Sequence, residues 1–98
     1  MCNGLQIHIT DPRVYSPVAT ALEILEAVIQ KSQSGSVKFN PPPYEYEYEL
    51  MPFDILSGDD KMRKVLESGS SIKEEKARWN DGIEEFRKEF RKIALYEE

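Results

Sequence analysis

The chain has 98 residues, of which 40% are hydrophobic and 32% charged, with a formal net charge of -5. That size bounds it to one small domain, residues 1–98, with a modest core. Net negative charge excludes duplex nucleic acid as a natural partner, because phosphate binding needs a basic face.

One cysteine, Cys2, rules out an internal disulfide and a cysteine-rich metal site. No apolar run approaches membrane-spanning length, and the N-terminus carries no charged-then-apolar leader pattern. On this reading the polypeptide as given is cytoplasmic.

Leu5, Ile7 and Ile9 alternate with Gln6, His8 and Thr10. The period of two predicts a strand over 5–10 with the apolar row inward. Asp11-Pro12 ends it, since proline denies a donor to the ladder. Ser16-Pro17 reads as N-cap and first helical residue, and Val18, Ala21, Leu22, Leu25, Val28 and Ile29 follow at helical spacing. They predict a helix over 17–31. "SQSGS" closes it as a loop. Val37 to Phe39 is a short strand candidate, so strand, helix and strand suggest a right-handed parallel crossover.

The stretch "NPPPYEYEYELMPFD" then alternates tyrosine with glutamate. As a strand over 44–50, it would place Tyr44, Tyr46 and Tyr48 on one face and Glu45, Glu47 and Glu49 on the other. The tyrosine row reads as a packed face, an aromatic binding strip, or a patch that meets another chain. Packing is the expectation, with at least two of the three rings mostly buried and the glutamates guarding an edge.

Pro52 to Leu56 suggests one short helical turn. A helix over 59–68 has Met62, Val65 and Leu66 inward and Gly69 as its stop. Ser71 to Glu74 fits a capping box. Ile72, Trp79, Ile83, Phe86, Phe90 and Ile93 form the core stripe of a last helix over 72–92. Glu74 with Arg78 and Glu84 with Lys88 are favourable pairs along it. Gly82 inside it costs about 1 kcal/mol against alanine, which suggests a close packing contact there. The fold class expected from these elements is α/β, bordering on α+β: a short, mostly parallel sheet with helices at 17–31, 59–68 and 72–92.

Little of this points to catalysis. His8 and Asp11 sit at the end of the first strand, where open α/β sheets bind ligands. They could orient a polar ligand or move a proton; the plainer reading has Asp11 turning the chain and His8 half exposed. One histidine and one carboxylate do not make a metal set. The serines sit at caps and loops, and the glycines stand alone, so neither a nucleophile triad nor a phosphate loop is present. No cofactor is implied.

"NGLQIHITDPRVYSPVATALEILEAV" resembles the opening of the C-terminal domain of the NamZ-like exo-β-N-acetylmuramidases. The matching positions are Cys2, Gly4, His8, Thr10, Asp11, Tyr15, Pro17 and the helix through Ile29. The likeness continues through "PYEYEYELMPFDILSGDDKMRKVLESG" and "IKEEKARWNDGIEEFRKEFRKIALY". The resemblance implies a non-catalytic accessory domain, with the catalytic glutamates on a Rossmann-like partner domain in cis or in trans. Its substrate cleft for a muropeptide sugar, bearing N-acetylmuramic acid, would lie where the two domains meet. His8, Thr10, Asp11 and Tyr15 would then face the cleft or partner, with no catalytic residue in this chain. Two alternatives stand beside it. One is an independent hydrolase using Asp11 with His8 or a glutamate; the other is a structural fragment that forms a homo-oligomer through its tyrosine face.

Overall fold

In the computed structural model, residues 3–96 are described. Four helices follow in order: α1 Pro17–Lys31, α2 Pro52–Ser57, α3 Lys61–Glu67 and α4 Lys73–Ile93. Proline opens both α1 and α2 in the first helical turn, where its missing N–H costs nothing. Gly58 closes α2 with φ 93°, and Gly69 follows α3 with φ 74°, a left-handed backbone that disfavours side chains with a Cβ.

The core is the meeting of three helices. Leu22 of α1, Met62 and Leu66 of α3, and Ile72 at the start of α4 are buried. Leu25, Ile29, Phe39, Phe53, Val65 and Trp79 wall this cluster. The Phe39 and Phe53 rings lie 4.6 Å apart and bring the loop after α1 onto α2. Polar ties complete the assembly. The Glu26 carboxylate accepts the Ile72 amide at 3.2 Å, joining α1 to α4. Arg63 binds Asp54 in bidentate fashion at 2.7 and 2.9 Å, locking α2 to α3. That fork raises the Arg63 pKa further, through its hydrogen bonds to Asp54 and then to Glu67, so the guanidinium stays charged.

The expected α/β class is overturned: the domain is mainly helical, and no sheet forms among the described residues. Among the described residues, 5–10 and 37–39 form no ladder, so the expected parallel crossover is not found there. Over 44–50, among the described residues, the only pairing is an isolated antiparallel bridge of Tyr44 with Glu47. Their amides and carbonyls exchange bonds of 2.9 and 3.0 Å around a tight turn in which Glu45 takes φ 52°. The Glu47 carboxylate secures the exit by accepting the Glu49 and Leu50 amides at 2.8 and 3.1 Å. These two bonds hold its pKa below the usual carboxylate range. A turn breaks the period of two, so the tyrosines share no strand face. Their exposures are 38%, 93% and 71% for Tyr44, Tyr46 and Tyr48, against the burial expected.

The helices themselves fall close to their expected bounds, but the last one packs differently. Trp79 reaches the core, while Ile83, Phe86, Phe90 and Ile93 are exposed. The second half of α4 is an arm, and a Cβ at Gly82 would meet nothing within 4 Å. No close contact explains that glycine. The capping box is absent too: Ser71 Oγ accepts the Lys73 amide at 3.3 Å, and Ile72 holds the cap position. Arg78 pairs with Glu75 and Asp59, and Arg87 with Glu84, in place of the expected partners. The radius of gyration is 16.9 Å, well above the roughly 13 Å of a close-packed chain this long.

Candidate functional site

Asp11-Pro12-Arg13 is a tight corner before α1. The Asp11 carboxylate accepts the Arg13 amide at 3.0 Å, its Nε at 3.0 Å and an Nη at 3.1 Å. An aspartate that binds the backbone two residues on is a natural turn former, and proline fixes the residue between. The corner swings residues 8–16 alongside the first turns of α1. On the far side, Lys76 Nζ of α4 meets Glu23 of α1 at 2.8 Å.

Between these two ion pairs lies a groove of about 390 Å³. His8, Thr10, Asp11 and Tyr15 all line it, together with Ser16, Thr20, Glu23 and Lys76. The structure therefore gathers all four of the residues singled out in the sequence into one concavity. His8 and Thr10 are exposed, and Asp11 and Tyr15 are half-buried. Cys2, which belongs to the same stretch of the resemblance, lies outside the described residues.

The Arg13 side chain, and then its amide, hold the Asp11 carboxyl below the usual carboxylate range. The same pair raises the pKa of Arg13. Asp11 is thus an anion at neutral pH that already accepts three hydrogen bonds from Arg13. It cannot lend a proton, and its basicity is low. Geometry of this kind suits binding better than general acid or base catalysis. Hydroxyls from Thr10, Tyr15, Ser16 and Thr20, an imidazole and one free face of an ion pair can hydrogen-bond a polar ligand. No set of three His, Cys, Asp or Glu side chains able to hold a metal occurs among the described residues.

Sequence reasoning missed Glu23 and Lys76. Glu23 is one more polar residue on the outer side of α1, and nothing local links it to a lysine on α4. A second hollow, of about 660 Å³, lies between the end of α1, the loop through Phe39 and the end of α3. It is larger, but only Lys38 and Glu67 bring charge to it. The convergence of imidazole, carboxylate, phenol and amine favours the smaller groove as the site.

No described helix is long and apolar enough to cross a membrane. No curated protein and no solved structure matches the chain. A family model does, over residues 1–96, described as the C-terminal part of the exo-beta-N-acetylmuramidase NamZ. The resemblance read from the His8-Ile9-Thr10-Asp11 segment and the Trp79 helix is thereby borne out. The match covers nearly the whole chain, and this protein belongs to the NamZ C-terminal domain family.

Proposed function

We propose that the domain is a non-catalytic accessory unit of an exo-β-N-acetylmuramidase. It helps shape the cleft for a peptidoglycan sugar when joined, in cis or in trans, to a catalytic half. The family match carries the reading, and the groove supports it: His8, Thr10, Asp11 and Tyr15 converge there with hydroxyls suited to a sugar. Asp11, engaged by Arg13 and held below the usual carboxylate range, is a poor proton donor, which argues against it as the general acid of a hydrolase acting alone.

The test mixes the purified chain with the N-terminal domain of a NamZ exo-beta-N-acetylmuramidase and follows a chromogenic N-acetylmuraminide. Adding the chain should raise turnover. Tyr15→Ala should weaken the gain through KM, with kcat changing less, as for a lost binding contact. Turnover by the chain alone that disappears in Asp11→Asn would sink the accessory reading.

A further inference from the structure

We propose that residues 4–10 form a β-strand which this domain adds to the open edge of a sheet in its catalytic partner. The inference rests on the accessory reading and deepens it. Leu5, Ile7 and Ile9 alternate with Gln6, His8 and Thr10, the pattern of a strand with one buried face. Yet in this chain the segment runs through residue 9 without helix, turn or bend. Among the described residues, no backbone–backbone hydrogen bond involves residues 3–10. The apolar row stands 76%, 52% and 51% exposed. A row of unpaired amides and carbonyls beside an apolar face is a template for strand addition.

The period selects the occupant. A helical groove reads positions three and four apart, so it cannot cover Leu5, Ile7 and Ile9 together. A second copy of the segment would supply a ladder but no cover, because a two-stranded ribbon leaves its apolar face in water and is marginal alone. A sheet edge supplies both: hydrogen bonds at strand spacing, and a layered body beneath the sheet to bury the apolar face. The usual protection of exposed edges is missing here. No lysine, glutamate, aspartate or arginine occurs from Asn3 to Thr10, in a chain with 32% charged residues. Pro12, which has no amide donor, then ends the pairing, and the Asp11–Arg13 corner fixes where the chain leaves the sheet. Docked in this way, His8 and Thr10 take the opposite face from the apolar row, and Ile9, which also lines the groove, stands where the groove meets the partner.

Amide exchange followed by NMR tests this, on the full chain alone and mixed with the N-terminal domain of a NamZ exo-beta-N-acetylmuramidase. Alone, residues 5–10 should exchange as freely as an unstructured chain. In the complex, every second amide of the segment should slow at least about a hundredfold. Ile7→Pro should weaken the complex at least about tenfold and leave the helical circular dichroism unchanged, since Ile7 lies outside all four helices. Protection in the chain alone would overturn the proposal, showing internal pairing if independent of concentration and self-pairing if it rises with concentration. A complex that forms with residues 5–10 unprotected would overturn it while leaving the accessory reading intact. No complex at all would remove both.

Discussion

Leu66 is the most informative residue for the stability of this domain. It is buried with Leu22, Met62 and Ile72, and these four are the buried hydrophobic residues of the core. Truncation to alanine removes contacts on every side and leaves a cavity. The cost of such a change is about 2–5 kcal/mol. A chain of this length has about 5–15 kcal/mol in total, and one with so thin a core belongs near the lower end. Leu66→Ala should therefore lose a third or more of the stability and, at the upper end of the range, unfold at room temperature. Urea titration by far-UV circular dichroism reads it, with the midpoint falling by about 1–3 M at an unchanged slope. Phe86→Ala is the internal control. It removes a larger side chain, but Phe86 is 67% exposed and stacks only on Phe90, at 6.2 Å. Its cost should stay within about 1 kcal/mol. Equal losses from the two variants would refute the packing described, because α4 would then have to be packed along its whole length.

Acid should weaken the fold. Asp11, Glu47 and Asp60 all have pKa values lowered, by hydrogen bonds from Arg13, from the Glu49 and Leu50 amides, and from Lys64. A folded-state pKa below the unfolded one gives stabilisation that is complete above the unfolded value and goes as pH falls through the folded one. The urea midpoint should thus be flat near neutrality and fall below about pH 4; the groups are only half-buried and still reach solvent, so salt should shrink the effect. An identical midpoint at pH 7 and pH 3 would contradict it. Tyrosine nitration, mapped by mass spectrometry, should modify Tyr46 and Tyr48 well before Tyr44, following their exposure; uniform protection of all three would restore a packed strand face. Glu47→Ala should free the Glu49 and Leu50 amides, raising their exchange several-fold without loss of helix, and unchanged exchange there would mean the turn is held by other contacts.

Why the helices were legible and the sheet was not follows from where each signal is stored. Ser16-Pro17 and the Val18 to Ile29 stripe are local, and α1 begins and ends where they indicate. The same holds for Met62 and Leu66, whose spacing alone turns them into the core. A strand is different: alternation in Leu5 to Thr10 states a preference, but a ladder needs a second segment, and none is present among the described residues. The Tyr-Glu repeat misled for a related reason. Its second glutamate, Glu47, reaches forward to two amides and back to Tyr44, so a turn outcompetes an isolated strand. At the groove, residues close in sequence were found, because Asp11-Pro12 announces a corner. Its other wall depends on the packing of α1 against α4, and no short motif records that.

The arm of α4 shows the same limit and yields a last prediction. Trp79, Ile83, Phe86, Phe90 and Ile93 are spaced four, three, four and three, which is the seam of a coiled coil. Spacing cannot say where core ends and seam begins; here the boundary falls after Trp79. The seam's flanks decide what could cover it. At 3.6 residues per turn, Arg87 and Arg91 lie along one side and Glu85 and Glu89 along the other. A parallel second copy would complement these charges, yet it would run into the body that already covers Ile72 and Trp79. An antiparallel copy would clear the body, but it sets each flank against itself, arginine facing arginine and glutamate facing glutamate. Neither arrangement favours self-pairing, so the chain should sediment as a monomer up to concentrations of about 100 μM, against the homo-oligomer suggested by its exposed aromatics. A dimer abolished by Phe86→Glu but strengthened by Arg87→Glu would be the antiparallel one, with the flanking charges weighed in the right direction but too heavily; one weakened by both changes would be the parallel one, with the steric block overestimated. A dimer indifferent to both would move the interface off this helix altogether.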